Sequence, residues 1–420
     1  MFAVVDCDNF YVECERVFAP ALRRRPVVVL SNNDGCVISR SAEAKALGIG
    51  MGAPLFQVRD VVSEQGVRVF SSNYALYGDM SGRVMQTLAS LSPEVEVYSI
   101  DEAFVRFDAA GRKGKPLDHA HAVRERIRRW TGVPVSIGLG PTKTLAKVAV
   151  RLAKRSGAES VYSLDGGAAT EEALANLAVG EVWGIGRKRA RVLHDAGIET
   201  ALGLSRADGR WLRRRLSIVT LRTAYELRGV SCLPLECCPR PKRSITTSRS
   251  FGRPVETLPE IQEALAYFVT KAAEKLRRAR LAARVLHVFL MTNRFEPETF
   301  YAGAATVPLS VPTDLTPELI GHARGAAARA FREGCQYRKA GVMLLDLVDA
   351  RPAQAGLFDD RDRERARRVV RAVDEINARL GEGAVRFGAA GGAGRPWRTR
   401  CESRSPRYTT CWRELLTLNT

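Results

Sequence analysis

No Cys-x-x-Cys pair occurs among the nine cysteines, which stand at 7, 14, 36, 232, 237, 238, 335, 401 and 411. Their odd number and scattered spacing support neither a disulfide framework nor a thiolate zinc site. Histidine offers no alternative: His119 and His121, the one close pair, lie in a polar helical stretch and read as surface residues. No apolar run reaches the length of a bilayer-spanning helix. The opening Met1-Phe2-Ala3-Val4-Val5-Asp6 has no basic region and meets an acid too early for a signal peptide, which predicts a cytoplasmic location and no membrane partner. Gly-x-x-x-x-Gly-Lys is missing, so there is no Walker-type phosphate loop, and no internal repeat is visible. Acids are also in short supply. Lys plus Arg number 65 against 46 Asp plus Glu, a net charge of +19. A surplus of that size implies a polyanion partner, with nucleic acid ahead of an anionic membrane.

What remains is ample for folding. The chain has 420 residues, 45% of them hydrophobic, and suggests about three domains at roughly 150 residues each. Residues 1–165 read as mixed α/β, with strands at Phe2–Val5, Val27–Leu30, Val95–Ile100, Ala103–Phe107 and Val133–Leu139 and a helix over Thr142–Lys154. Residues 166–235 read as small helices. Glu236 to Arg243 carries two prolines and three cations and reads as an extended basic linker. Strands and helices mix again over 244–350. The last sixty residues hold 14 Arg against 7 acids, with a Gly-Ala-rich patch at 388–394, and predict a tail that is partly helical at best.

The chemistry-bearing residues are few. Asp6 ends a buried strand, and Asp101-Glu102 fills the turn between two others. Carboxylates that converge repel one another and call for a cation. Hard oxygens with open positions suit magnesium, and two such ions perform in-line phosphoryl transfer. Each acid alone reads equally well as a turn residue or helix cap. Gly138 to Lys147 runs from a strand into a helix whose N-terminus could hold phosphate, and Lys143 and Lys147, four apart, share a helical face. Ser39-Arg40-Ser41-Ala42-Glu43-Ala44-Lys45 offers a second capped helix with a following lysine. Phe10 and Tyr11 follow Asp6 closely. Beside a metal site, a ring packed under a sugar's C2′ would exclude a 2′-hydroxyl. Trp183-Gly184-Ile185-Gly186-Arg187-Lys188 resembles the turn of a helix-hairpin-helix, whose glycines let backbone approach phosphate. Lys242, Arg243 and Arg249, with Arg253, Lys271 and Lys275, could follow a nucleic-acid backbone without reading sequence.

Together these strings resemble the Y-family of translesion DNA polymerases, in its UmuC branch with the plasmid-borne relatives. The likeness covers Asp6–Glu15, Pro26–Ile38, Ala42–Gly48, Phe70–Tyr74, Tyr98–Phe104, Thr142–Lys147, Val182–Arg187, Ser248–Gly252 and Ser405–Thr410, nearly the whole chain. The resemblance implies a multidomain α+β right hand. A palm would span 1–25 and 72–165 and fingers 26–71. A helix-hairpin-helix thumb would span 166–235, a linker 236–243, a little finger 244–350, and a tail 351–420. It implies that Asp6, Asp101, Glu102 and the main-chain carbonyl of Cys7 ligate two magnesium ions, and that Tyr11, beside Phe10, is the steric gate. Ser39, Lys45 and Lys147 match positions that touch the incoming triphosphate, and Gly184, Gly186, Arg187 and Lys188 would grip primer–template DNA. Many family members carry Tyr and Arg where Ala42 and Lys45 stand, and a lysine cannot make a bidentate grip.

Gln354-Ala355-Gly356-Leu357-Phe358 resembles the pentapeptide that docks on the bacterial sliding clamp, with Gln354, Leu357 and Phe358 as its anchors. The UmuC branch also works with a cleaved UmuD-type dimer and a RecA filament. The function implied is error-prone, template-directed translesion synthesis from dNTPs in the SOS response to DNA damage, at the nucleoid. The alternatives are a non-catalytic DNA-binding scaffold, which would lack an acid at 6, 101 or 102, and a nucleotide cyclase. A cyclase leaves the helix-hairpin-helix, the basic third domain and the clamp-like peptide without a role.

Overall fold

A computed structural model describes residues 1–107, 116–156, 160–238, 241–350, 362–381, 383–392, 397 and 399–416. Two compact units divide the chain: residues 1–29, 37–239 and 404–420 in one, residues 30–36 and 240–403 in the other.

The first unit begins with β1 (Phe2–Cys7), α1 (Phe10–Phe18), β2 (Val27–Leu30), β3 (Val37–Arg40), α2 (Ala42–Ala46), α3 (Arg59–Glu64), β4 (Arg68–Ser71) and α4 (Tyr74–Leu91). It continues with β5 (Val95–Val97), β6 (Glu102–Arg106), α5 (Pro116–Thr131), β7 (Val135–Gly140), α6 (Lys143–Ser156) and β8 (Val161–Ser163). β1, the apolar run, is the middle strand of a five-stranded sheet ordered β5-β6-β1-β7-β8, antiparallel except for the β7–β8 pair. Side chains alternate along it, as a strand requires. Ala3, Val5 and Cys7 enter a core with Phe10, Val12, Leu76, Tyr77 and Met80 of α1 and α4 and Val123 and Ile127 of α5. Phe2 and Val4 face the other way, onto Ala146 and Val150 of α6. Gly138 permits that second contact: a Cβ there would lie 2.0 Å from the Val150 nitrogen and 2.4 Å from the Ala146 carbonyl oxygen.

β2, β3 and β4 form a separate three-stranded sheet in the order β3-β2-β4. Five short helices follow: α7 (Gly167–Ala175), α8 (Arg187–Asp195), α9 (Ala201–Arg206), α10 (Gly209–Arg215) and α11 (Ile218–Leu227). Leu174, Leu193, Leu204, Leu212 and Leu227, one from each, share a core with Leu145 and Val148 of α6. The buried Glu226 locks that junction. Its carboxylate accepts hydrogen bonds from the backbone N–H groups of Thr144 (3.0 Å), Cys232 (2.7 Å) and Leu233 (3.1 Å).

The second unit is an antiparallel sheet of β9 (Ser244–Val255), β10 (Leu281–Met291), β11 (Ala302–Thr313) and β12 (Tyr337–Asp349) in the order β11-β10-β12-β9. Helices α12 (Leu258–Arg278) and α13 (Thr316–Ala330) share its core, through Phe268, Leu276 and Leu319 with Leu286, Val288 and Leu344. The mixture of strands and helices expected over 244–350 is present. The tail is partly helical, as its composition predicts. Residues Arg363–Leu380 form α14, tied down by Arg277 to Asp374 (2.7 Å) and Arg363 to Glu318 (3.2 Å), and Trp397 is buried in the sheet–helix core. Apolar burial of one tryptophan and salt links to α12 and α13 supply what the Arg-rich sequence lacks. Among the described residues, no helix is long and apolar enough to cross a membrane.

Candidate active site

The register of β1 against β6 sets Asp6 directly opposite Glu102. Opposed residues of antiparallel strands share a face, and Asp6 is on the even-numbered face that meets α6. Glu96 on β5 is opposite Phe104, two residues from Glu102, and shares that face too. Over these acids α6 lays a lysine stripe. Positions 143, 147 and 154 recur at helical spacing, and each meets one acid: Lys143 with Glu96, Lys147 with Glu102, and Lys154 Nζ with Asp6 Oδ1 at 2.5 Å. The expected shared face of Lys143 and Lys147 is present, since both ammonium groups stand over the Phe104 ring, at 4.8 and 5.8 Å.

Asp101 joins the edge through its backbone. Its carbonyl accepts the Cys7 N–H at 2.8 Å, and its Oδ1 accepts the Ser99 hydroxyl at 2.5 Å. Negative charge accumulates here, as the neighbouring thiol and carboxyl register. Burial, then Asp6 and Asp101, pushes the Cys7 thiol well above its ordinary value. Burial also raises Glu102, Lys147 opposes the shift, and Asp6 and Asp101 add to it. Burial would lower the Lys154 ammonium, but Asp6, with Asp8 and Asp101, outweighs it and holds it above the usual range. The donor set is therefore three carboxylates of hard oxygen, with the buried Cys7 thiol unsuited to act as a ligand. Such a set fits a divalent cation of the magnesium type. As the side chains stand, no group of three His, Cys, Asp or Glu among the described residues cages an ion, since lysines hold Asp6 and Glu102.

Asn9 gathers the next group. It caps α1 in the left-handed region (φ 46°), where Asn is among the few side chains tolerated. Its carbonyl accepts the Ser39 hydroxyl at 3.2 Å and its Oδ1 accepts Lys45 Nζ at 2.7 Å. Ser39 and Lys45 are thus brought beside the strand end that carries Asp6. Burial lowers the Lys45 ammonium, as do Arg40 and Lys154 nearby. Arg40 and Lys45, beside a Lys154 that pairs with Asp6, concentrate positive charge here, which suits a phosphate. Tyr11 stands on α1 next to this group, with Phe10 buried beside it at 5.7 Å between ring centroids.

One expectation fails. The N-terminus of α6 is not open to phosphate: Thr144 N–H donates to Glu226 and Leu145 N–H to the Thr142 hydroxyl (3.2 Å). An internal carboxylate takes the place reserved for a ligand, so the basic face of α6 works through its side chains. At the helix-hairpin-helix turn Gly184 has φ +87°, Gly186 caps α8, and Arg187 and Lys188 are exposed. Arg189 Nη1 donates to the Gly184 carbonyl at 2.9 Å. In the second unit Lys242, Arg243 and Arg249 are exposed, and Arg249 lies 5.7 Å over the Tyr267 ring. Gln354, Leu357 and Phe358 lie outside the described residues. Sequence reasoning missed Asn9, Lys154 and Arg40. Lys154 alone had a signal, being in phase with Lys143 and Lys147.

Comparison with known proteins gives the family. Residues 5–151 match the impB/mucB/samB family, residues 242–357 that family's C-terminal domain, residues 168–198 the IMS family HHH motif, and residues 367–418 a domain of unknown function. Protein ImpB of Salmonella typhimurium is 43% identical over 421 residues, covering 99% of both chains. Protein UmuC of Salmonella typhimurium strain LT2 is 41% identical, again over 99% of both. DNA polymerase IV of Caulobacter vibrioides is 28% identical over 92% of this chain and 93% of its own. Among solved structures, a Y-family DNA polymerase chimera built on Dbh superposes with a TM-score of 0.66 at 19% identity, covering 83% of this chain and all of that one. The chain belongs to the impB/mucB/samB family and is a UmuC-like Y-family DNA polymerase, with the α+β multidomain fold of that class.

Proposed function

We propose that this chain is the error-prone catalytic subunit of an SOS-response polymerase, extending primers across damaged template by a two-metal mechanism. The observation that carries the reading is the opposition of Asp6 and Glu102 across β1 and β6, with Asp101 bonded through its carbonyl to the Cys7 N–H. In this reading Asp6, Asp101, Glu102 and the Cys7 carbonyl hold two magnesium ions, whose chemistry is to acidify the primer 3′-hydroxyl and to neutralise the departing pyrophosphate. Lys147 and Lys154 balance Glu102 and Asp6 when these carboxylates carry no other cation. Ser39, Lys45 and Lys147 receive the triphosphate, with Arg40 and Lys154 adding positive charge beside them. Tyr11 blocks a 2′-hydroxyl and so selects dNTPs.

Gly184, Gly186, Arg187 and Lys188, with Lys242, Arg243 and Arg249, hold the primer–template by its phosphates, without sequence preference. A fingers segment of about 45 residues closes loosely on the nascent pair, which costs fidelity. Gln354, Leu357 and Phe358 bind the sliding clamp, and the enzyme works at the nucleoid with a cleaved UmuD-type dimer and a RecA filament.

The test is primer extension past an abasic site with magnesium, four dNTPs and those accessory proteins, comparing wild type with an Asp101→Ala, Glu102→Ala variant. We expect the wild type to extend and the variant to fall below about one thousandth of its rate. If both are equally silent while binding DNA, with the accessory proteins proven competent, the chain is a scaffold and the acids are structural.

A further inference from the structure

The last segment of the chain returns to the first unit. Arg404 pairs with Ser71 beside the N-terminus of α4, and Tyr408 stacks on Phe18 of α1 with 4.7 Å between ring centroids. Between these contacts Ser405 is buried, with its carbonyl and its hydroxyl both engaged. Asn73 Nδ2 donates to the Ser405 carbonyl (3.0 Å), to its Oγ (2.9 Å) and to the Pro406 carbonyl (3.0 Å). Ser405 Oγ in turn donates to Glu15 Oε1 at 2.9 Å. The same oxygen accepts the Tyr77 hydroxyl at 2.7 Å. Glu15 is 1% exposed and Tyr77 0%, so water reaches neither. The Tyr77 ring is therefore pinned at its hydroxyl by a carboxylate that Ser405 holds in place. Tyr77 carries Tyr11 on its other side, with the rings stacked 4.5 Å apart at 18°.

We propose that Ser405, acting through Glu15 and Tyr77, is a positioning residue for the Tyr11 ring and so sets the enzyme's discrimination between deoxyribo- and ribonucleotides. The inference rests on the reading of Tyr11 as the sugar gate. Tyr11 is only half-buried and sits on the first turn of a helix whose cap is left-handed, so its own backbone does not fix the ring. The stack on Tyr77 does, and a stacked pair is worth about 0.5–1.5 kcal/mol. Telling a hydroxyl from a hydrogen at C2′ is a contact of one heavy atom, so a small tilt of the ring is felt. Without the Ser405 hydroxyl, Glu15 keeps a single side-chain donor, Tyr77, in a site sealed from water. A buried carboxylate short of donors is unfavourable and shifts to find new ones, taking the Tyr77 hydroxyl with it.

The experiment measures the ratio of dNTP to rNTP incorporation by the full chain on one primer–template with magnesium, under conditions in which wild type extends. The ratio is internal to each preparation, so a lower active fraction or lower stability does not move it. For Ser405→Ala we expect selectivity to fall about five- to tenfold, the effect of one ordinary hydrogen bond. Ser405→Thr, which keeps the hydroxyl, should restore most of it. In a Tyr11→Ala background, Ser405→Ala should change nothing further. Glu15→Gln, which keeps the shape, serves as the second variant and should lower the ratio in the same direction. If Tyr11→Ala lowers selectivity while Ser405→Ala and Glu15→Gln leave it at the wild-type value, the inference is overturned and the gate stands. If Tyr11→Ala itself leaves selectivity unchanged, gate and inference fall together.

Discussion

The first unit and the second both carry many ion pairs, but they use them differently. On the sheet of the first unit two pairs are nearly dry: Lys143 and Glu96 have side chains 4% and 13% exposed, Lys147 and Glu102 14% and 15%. In the second unit several pairs are wet. Arg278 is 73% exposed beside Glu274, and Arg284 and Asp346 are 55% and 58% exposed. A dry charge must keep its partner, because the cost of leaving it alone is several kcal/mol. A wet charge loses little when its partner goes. The first unit is thus built to hold carboxylates and ammonium groups in fixed places, as a reaction centre requires. Exposed arginines of the second unit such as Arg278 and Arg284 are held only weakly, which suits contact with phosphates at changing positions.

Replacing Glu226 should widen the contrast most. It anchors three backbone N–H groups of the first unit at 0% exposure. Glu226→Ala leaves all three unpaired and should cost roughly 3 kcal/mol or more, read as a lower urea midpoint of the full chain. A loss under about 1 kcal/mol would show that the junction of α6 with the small helices relaxes easily and would weaken the contrast.

Glu15 gives an intermediate effect with a pH signature. Burial raises its carboxyl above the ordinary range, against the opposing hydrogen bonds of Tyr77 and Ser405. An acid whose folded value is raised favours the fold while protonated, and that contribution is lost as pH rises through the folded value. The melting temperature of wild type relative to Glu15→Gln should therefore fall as pH rises from the ordinary carboxylate range, about 4.3, toward neutrality. A difference that is flat or rises over that window would mean that Glu15 is well solvated as an anion.

The smallest effect belongs to the second unit. Arg278→Ala should move stability by no more than about 0.5 kcal/mol. A loss as large as that of Glu226→Ala would erase the distinction between dry and wet pairs.

Much of the site was legible because it is local. A short apolar run ending in an acid, and an acidic pair between two strands, gave β1, β6 and their carboxylates directly. The lysine phase on α6 was readable as well, although its full use depends on Glu96, Glu102 and Asp6 sharing a face, which only strand pairing decides. What stayed hidden is long-range. Nothing near Glu226 in the chain announces that it caps the junction at Thr144, 82 residues earlier. The left-handed turn at Asn9, which draws in Ser39 and Lys45, is set by contacts across some thirty residues. The anchors of the partly helical tail were hidden for the same reason, being single residues such as Trp397 and Ser405.

The bond between Ser405 and Glu15 spans 390 positions of the chain. The packing behind Tyr77 can therefore close only once residue 405 has been made. A nascent chain that has already folded its carboxylate-bearing sheet still lacks the piece that steadies Tyr77 and the Tyr11 ring stacked on it. Messages broken or stalled before codon 405 would yield products with Asp6, Asp101 and Glu102 intact and that aromatic pair less firmly held. Translation through residue 405 thereby becomes part of the chain's own quality control.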